Sequence, residues 1–315
     1  MNIRRAFAVL VLIAAAAGLG SCTWFRSELV ARIDVSPVVV YVGENVELDG
    51  GASFGSKAIV SYSWDYDGKT VSGRTVTVSF ATAGTYDVRL IVEDADGRTS
   101  SASTEVIVYL RSGSEIFFED FGRGDDALGI WGLDPTWASE GDATVDFIAG
   151  GPGYALYIHS SNDRWHRRTT PIELPPLRVG QRAVFSCRIM TLQIESEHTF
   201  LFAPARRELT SIAGSLPYYQ YSSNADGSYI REPTAYGSEI ARPIGFMPDV
   251  YRWHTYTFSI DSDDYEFSVD AITWLTGPWS GDLSRGGEWL LLLGEESLDE
   301  ACRAYYDDIR VTIEE

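Results

Sequence analysis

Two glutamates at alternate positions are the best candidates for acid–base chemistry in this chain. Glu195 and Glu197 stand in the stretch Gln193–His198. In a strand both side chains lie on one face, about 6.5–7 Å apart along the chain. Retaining hydrolysis of a glycosidic bond uses two carboxyl groups about 5–5.5 Å apart. We predict a solvated strand edge here and no catalytic residue, with glycoside hydrolysis as the alternative.

The histidines show no arrangement typical of a catalytic site. None has a serine or aspartate in a recognisable triad motif: His159, His166, His198 and His254. The three cysteines show no Cys-x-x-Cys or Cys/His spacing of the kind that binds zinc. His254 follows Trp253 in an alternating stretch and is predicted to be structural. The sequence therefore predicts a protein that is not an enzyme.

Aromatic residues in the second half of the chain are the candidate binding surface. Tryptophans stand in segments rich in Gly, Pro and Asp, which predicts loops: Trp131, Trp137, Trp165, Trp274 and Trp279. The segment Ala203–Val250 is predicted to be a long loop insertion, and such loops are usually functional. Tryptophan and tyrosine rings can stack on the apolar faces of sugars while their polar groups stay solvated. The predicted ligand-binding residues are Trp165, Trp279, Tyr218, Tyr219, Tyr221 and Tyr229. The alternative is that these rings pack the loops onto the domain.

The N-terminal residues predict export and a lipid anchor. Arg4 and Arg5 precede an apolar run, Ala6–Ala17, which is too short to span a bilayer and is typical of a signal peptide. The following Leu19-Gly20-Ser21-Cys22 resembles the lipobox of bacterial lipoproteins. That resemblance implies cleavage before Cys22 and lipid attachment to it, and several acyl chains give stable anchoring. An ordinary signal peptide is the alternative.

The charge of the chain limits its partners. Its 315 residues carry a formal net charge of −20, with 45% hydrophobic and 13% aromatic residues, as in a folded protein. Such an acidic surface repels nucleic acid, so no nucleic-acid partner is predicted. It is compatible with divalent cations, neutral glycans or basic partners.

Two cysteines remain once Cys22 is assigned to the anchor. Cys187 and Cys302 lie in an exported chain, where disulfides are permitted. Cys187 is in phase with Phe185, whereas Cys302 is out of phase with Ile309 unless a bulge intervenes. A disulfide between Cys187 and Cys302 is therefore a candidate that the pattern leaves open.

Short alternating strands predict an all-β chain with two sandwich domains in series. The predicted parts are a signal peptide (residues 1–21), a lipidated tether (22–32), a first domain (33–109), a linker (110–114) and a second domain (115–315). In the first domain, Val60, Tyr62, Trp64 and Tyr66 alternate with polar residues. The order Trp64-Asp65-Tyr66-Asp67-Gly68, Val78-Ser79-Phe80, Gly84–Leu90 and Val92-Glu93-Asp94 resembles a PKD domain, an immunoglobulin-like β-sandwich. That resemblance implies a spacer or contact module with Trp64 in its core.

The second domain is predicted to be a larger β-sandwich. Three of its motifs together resemble a concanavalin-A-like, or laminin-G-like, jelly roll: Phe118-Glu119-Asp120-Phe121, Arg252–Phe258 with Phe267–Asp270, and Tyr305–Val311. A galactose-binding-like jelly roll is the alternative. The fold hosts lectins, glycan-binding modules, glycosidases and adhesion domains, so it does not specify a function.

The jelly-roll resemblance implies a calcium site between the ends of the domain. In many glycan-binding jelly rolls an acidic residue of the first strand meets one of the last strand, and calcium prefers oxygen ligands. The residues that match are Glu119, Asp120, Asp307 and Asp308. Calcium is the only cofactor predicted, and the alternative is that these acids cap strand ends.

The jelly-roll resemblance does not imply catalysis by this chain. Family 16 glycoside hydrolases, which share this fold, supply their carboxylates as Glu-x-Asp-x-x-Glu on one strand. The stretch Gln193–His198 lacks the third carboxylate and the order.

Taken together, these features predict a non-catalytic cell-envelope lipoprotein that displays a recognition domain. Its predicted partners are the membrane, through the lipid anchor, and a glycan or an extracellular or envelope protein. The resemblance to bacterial lipoproteins implies the outer membrane or cell surface over the cytoplasmic membrane, because Thr23 and not Asp follows Cys22. The alternatives are a glycoside hydrolase on a concanavalin-A-like fold and a purely structural envelope protein.

Overall fold

The computed structural model describes most of the chain after the predicted signal peptide. The described residues are 28–133, 141–148, 153–160, 165–192, 198–206, 218–222, 227–233, 239–246, 248–278, 283–297 and 303–315. Cys22 and residues 1–27 lie outside them. No helix in these ranges has the length and apolar character needed to cross a membrane.

The described residues form an all-β structure, which confirms the predicted fold class. Its strands are β1 (Asp34–Ser36), β2 (Val39–Tyr41), β3 (Asn45–Asp49), β4 (Ile59–Tyr66), β5 (Lys69–Ser72), β6 (Thr75–Ser79), β7 (Gly84–Asp94), β8 (Thr99–Tyr109), β9 (Ser114–Glu119), β10 (Gly132–Leu133), β11 (Gly141–Ile148), β12 (Gly153–Ser160), β13 (Trp165–Leu174), β14 (Arg182–Thr191), β15 (His198–Arg206), β16 (Tyr218–Ser222), β17 (Gly227–Pro233), β18 (Glu239–Pro243), β19 (Trp253–Ile260), β20 (Asp264–Val269), β21 (Ile272–Pro278), β22 (Gly287–Ser297) and β23 (Arg303–Glu314). One 3-10 helix, Gly124–Ile130, follows β9.

The first domain consists of a three-stranded and a five-stranded sheet. Their strand orders are β1-β3-β6 and β2-β8-β7-β4-β5. Trp64 on β4 is completely buried between them, and its indole N–H donates to the carbonyl of Gly73 at 2.9 Å. The turn after β4 is formed by Asp67 and Gly68, both with positive φ, a conformation that favours glycine at the second position.

The second domain consists of a seven-stranded and an eight-stranded sheet around one hydrophobic core. The orders are β10-β13-β22-β15-β16-β17-β18 and β11-β12-β23-β14-β19-β20-β21, with β9 also paired to β23. Burial alternates along β14 and β19, so one face of the larger sheet covers the core. Phe185 on β14 stacks on Trp289 of β22, with ring centroids 5.7 Å apart, and joins the two sheets.

The segment Ala203–Val250 differs from its prediction as a loop insertion. It contains the end of β15 and three further strands, β16, β17 and β18, which extend the seven-stranded sheet as an antiparallel meander. The loop prediction was wrong for the residues of these strands, because short segments whose backbone groups pair with neighbouring strands form a sheet in spite of the Gly, Ser and Asn residues near them.

Candidate functional site

The aromatic residues predicted to bind ligand do not lie in loops where the structure describes them. Trp165 is on β13, and Tyr218, Tyr219 and Tyr221 are on β16. Tyr229 is on β17. Their side chains, and Trp279 and Trp137 as a whole, lie outside the described residues, as do Glu195 and Glu197. The loop prediction for these five residues was wrong, since each belongs to a ladder of the seven-stranded sheet.

Trp131 and Trp274, which were also predicted to lie in loops, differ from that prediction. Trp131 is 2% exposed and packs edge-on against Phe117, with ring centroids 6.2 Å apart, so it belongs to the core. Trp274 lies on strand β21, half-buried beside Phe246. Neither ring is part of an exposed binding loop.

The first and last strands of the second domain meet, and the four predicted calcium ligands lie near that junction. β9 pairs with β23 so that Glu119 is opposite Ile309. The buried Glu119 carboxylate accepts the amide N–H of Phe121 at 2.9 Å and the guanidinium of Arg123 at 2.6 Å. Asp120 accepts the amide N–H of Gly122 at 2.9 Å. These two carboxylates therefore act as caps of the turn after β9.

Asp307 and Asp308 lie at an irregularity in the ladder between β14 and β23. Arg188 is 2.9 Å from the Asp308 carboxylate and 3.6 Å from that of Asp307. Asp307 is 2% exposed, and among the described residues its Oδ1 has no hydrogen-bond partner. Burial raises the pKa of Asp307 to about 6, and the neighbouring Asp308 and Asp120 carboxylates act in the same direction.

These four acids do not fit a calcium ion well. Calcium requires six to eight oxygen ligands. Glu119, Asp120 and Asp308 each hold a protein donor, and among the described residues Asp307 Oδ1 is the one buried oxygen of the group without a hydrogen-bond partner. The part of the chain that the structure describes contains no group of three or more metal-ligating side chains in reach of one ion.

Cys187 is a free, completely buried thiol on β14. Its Sγ faces the carbonyl of Asp307 at 3.9 Å. Cys302 lies outside the described residues. Among the described residues Cys187 has no disulfide partner, and its pairing with Cys302 is not tested.

His254 forms a pair with an aspartate that the sequence spacing did not reveal. Its Nδ1 lies 2.7 Å from Oδ2 of Asp270, and its Nε2 accepts the amide N–H of Asp249 at 3.3 Å. Because Nε2 is an acceptor, the proton resides on Nδ1 and points to Asp270. Both ring nitrogens are hydrogen-bonded, so His254 connects the start of β19 to the turn after β20, which is a structural role.

A row of large side chains crosses the outer face of the eight-stranded sheet. Tyr157 is directly opposite Tyr305, Tyr305 is opposite Met190, and Met190 is opposite Trp253. Directly opposed residues on antiparallel strands share a face. Tyr306, the neighbour of Tyr305, donates to the carbonyl of Gly294 in the other sheet, so Tyr305 points away from the core. We call these four residues the aromatic row.

The members of the aromatic row pack on one another. The rings of Tyr157 and Tyr305 are 5.0 Å apart, and the Arg188 guanidinium lies 5.0 Å from the centre of the Trp253 ring. Met190 between them is only 9% exposed, although it does not belong to the core cluster between the two sheets. Tyr157, Tyr305 and Trp253 remain half-buried. The result is an apolar strip across four strands, about 14 Å long at the usual strand spacing.

Polar groups border the aromatic row on both sides. The Tyr305 hydroxyl donates to Asp146 at 3.2 Å, and Thr144 donates to the other oxygen of Asp146 at 3.0 Å. Burial and the Asp146 carboxylate raise the pKa of Tyr305 to about 12, so its phenol stays neutral. Arg188 and Asp308 stand beside Trp253. An apolar strip with oriented donors and acceptors at its edges suits a ligand that has both apolar faces and hydroxyl groups.

Sequence reasoning missed this row because its members come from four separate strands. Tyr157 and Tyr305 belong to the motifs Ala155–Ile158 and Tyr305–Val311, and Trp253 belongs to the Trp-His stretch. Alternation shows which residues share a strand face but not which strands are neighbours.

Comparisons with known proteins agree with a β architecture. Residues 31–108 match the family model of the PKD domain. No curated protein matches the chain. A carbohydrate-binding module from the beta-sandwich superfamily is 16% identical with a TM-score of 0.31, over 91% of this chain and 98% of that chain.

Two further solved structures are similar to part of the chain. One comes from endo-acting O-glycanases of the human gut microbiota, with 13% identity and a TM-score of 0.47 over 64% of this chain and 100% of that chain. The other is a carbohydrate-binding module from Bacillus subtilis, with 11% identity and a TM-score of 0.36 over 59% of this chain and 96% of that chain. Similarities this low do not identify the binding residues of this chain. The candidate residues are identified from the geometry of this chain alone.

Proposed function

We propose that the second domain binds a glycan on the aromatic row and leaves the glycan chemically unchanged. The observation that carries the proposal is the register Tyr157–Tyr305–Met190–Trp253, which aligns three aromatic rings across one outer sheet face. Sugar rings present apolar C–H faces that stack on such rings, and their hydroxyls pair with carboxylates and guanidinium groups. Asp146, Asp308 and Arg188 lie at the edges of the row, where they would form hydrogen bonds with the sugar hydroxyls.

The charge of the chain favours a neutral glycan on this row. Asp146 and Asp308 border the row, and the chain carries a net charge of −20. Both features disfavour a polyanionic ligand through like-charge repulsion. Stacking on aromatic rings depends little on ionic strength, so binding is expected to survive added salt.

The proposed setting is the cell envelope, with the chain anchored through lipid on Cys22. The tether would hold the first domain close to the membrane and the second domain beyond it. Replacing Cys22 by Ser in cells is expected to release the protein from the membrane fraction or to trap its precursor. Processing and membrane association that persist in that variant would contradict the anchor.

A glycan array tests the binding proposal. The chain without residues 1–22 is applied to the array at low and high salt, beside the variant Tyr305→Ala. The expected result is retention of one neutral glycan class at both salt concentrations, lost in the variant. Reducing-sugar release from that glycan would instead favour the glycosidase alternative, and no glycan bound at all would favour the purely structural one.

A further inference from the structure

The linker between the two domains is fixed to the second domain by hydrogen bonds. Gln181, 2% exposed in the connection between β13 and β14, donates its side-chain amide to the carbonyl of Leu110 at 2.9 Å. Gly113 donates its amide N–H to the carbonyl of Ile313 at 2.6 Å. The end of the first domain, at Tyr109, is thereby held against the second domain.

A cation–aromatic contact also joins the two domains. The ring of Tyr41 on β2 lies 4.8 Å from the Arg111 guanidinium and 5.1 Å from that of Arg178. Arg178 belongs to the connection between β13 and β14, so Tyr41 contacts the second domain directly. Glu105 and Arg285 form a further pair across the junction at 3.8 Å.

A cavity of about 130 Å³ lies at this junction. Its walls come from both domains, and those used below are Tyr109, Leu177, Arg178, Gln181, Leu283 and Ser284. The walls are tied together, because Leu177 donates its amide N–H to the carbonyl of Leu283 at 2.8 Å and Arg178 donates its own to the Gln181 side chain at 3.2 Å. The volume is well below the about 300–1,000 Å³ of pockets for drug-sized molecules, so the cavity has room only for a small ligand.

The charge of the cavity differs from that of the chain. Among the residues that the structure describes, its lining contains one cation, Arg178, and no carboxylate, whereas the chain has a net charge of −20. Burial raises the pKa of Tyr109, so its phenol offers a neutral hydroxyl. Leu177 and Leu283 contribute apolar groups to the lining. This lining matches a small polyhydroxylated molecule that carries one negative charge.

The partner of Arg178 in the structure is replaceable. Its guanidinium pairs with the carboxylate of Glu315, and both side chains are about half exposed. Exposed pairs of this kind contribute little stability. A ligand carboxylate can therefore take the place of Glu315 at small cost.

We propose that the junction cavity binds a sugar carboxylate of one pyranose ring, with Arg178 exchanging Glu315 for the carboxylate of the ligand. This second site is independent of the aromatic row and requires both domains. Apolar contacts of the ring with Leu177 and Leu283 and hydroxyl contacts with Tyr109 and Ser284 would complete the binding.

Calorimetric titration with D-glucuronate, and with D-glucose as the uncharged probe, tests this site. Wild type should bind glucuronate and bind glucose more weakly. Arg178→Gln should weaken glucuronate binding about tenfold or more, the usual effect of losing a hydrogen bond to a charged group. Glu315→Gln should strengthen it by about two- to fivefold, because it removes the competing carboxylate.

Two controls separate this site from the aromatic row. Trp253→Ala should leave glucuronate binding unchanged, so that failure of one site does not imply failure of the other. Arg252→Gln, which removes an exposed arginine paired with Asp249, should also leave it unchanged. No glucuronate binding by wild type, equal affinity for glucose, or weakening by Glu315→Gln would overturn the proposal.

Discussion

The guanidinium of Arg188 lies 5.0 Å from the centre of the Trp253 ring while pairing with Asp308 at 2.9 Å and facing Asp307 at 3.6 Å. One side chain thus supports the end of the aromatic row and compensates the charge of a buried carboxylate. Stability and recognition are coupled at this point of the sheet.

Replacement of Arg188 by Gln should destabilise the fold. Asp307 would keep its buried charge without a nearby cation, and removal of one partner from such a pair is strongly unfavourable. Because Arg188 is partly exposed and 3.6 Å from Asp307, we expect a smaller loss, about 1–3 kcal/mol of unfolding free energy. Urea unfolding at pH 7 measures it. Arg252→Gln, which removes an exposed pair, serves as the control and should cost under about 1 kcal/mol.

Asp307→Asn should stabilise the protein at neutral pH. The folded pKa of Asp307 is raised to about 6, above the value of about 3.9 in an unfolded chain. Its contribution is therefore fully present below about pH 4 and is lost as the pH rises through 6. The amide keeps the shape without the charge, so the gain should reach about 1–3 kcal/mol at pH 7 and vanish near pH 4. A gain that is the same at both pH values would contradict the buried-charge explanation.

Cys187 should not react with a thiol reagent in the folded protein. Burial raises the pKa of this thiol well above its usual value, so almost no thiolate is present at pH 8. Titration of the chain without residues 1–22 should find two free thiols once the protein is unfolded without reductant. Cys187 is the thiol that reacts with the reagent only after the protein has been unfolded. No thiol under those conditions would show that a Cys187–Cys302 disulfide exists after all.

Calcium should not stabilise the second domain. Arg123 and backbone amides already occupy the carboxylates of Glu119 and Asp120. Melting temperatures in excess calcium and in excess chelator are expected to agree within error. A rise with calcium concentration, abolished in Asp307→Asn, would instead assign the orphaned Oδ1 of Asp307 to a metal ion.

The sequence predicted local features of this fold better than features that depend on strand order. Alternation around Trp64 predicted its burial, because a strand with one apolar face must cover a core. The meeting of β9 and β23 also followed from the end motifs. By contrast, residues around Tyr218 and Trp165 were assigned to loops because glycine and aspartate flank short strands as often as they form long loops. The residues that lie beside Tyr305 depend on the register between strands that are distant in sequence. Composition and alternation do not reveal that register.

The measurement that tests the central claim most directly compares two tryptophan variants against a glycan retained on the array. Trp253 belongs to the aromatic row, whereas Trp165 is on β13 of the other sheet. Calorimetry should show that Trp253→Ala weakens binding by about 1–3 kcal/mol, typical of an aromatic anchor. The matched control Trp165→Ala should leave the affinity unchanged, and both variants should keep their β-sheet circular dichroism. Binding that is lost in Trp165→Ala and kept in Trp253→Ala would contradict the assignment of the binding face.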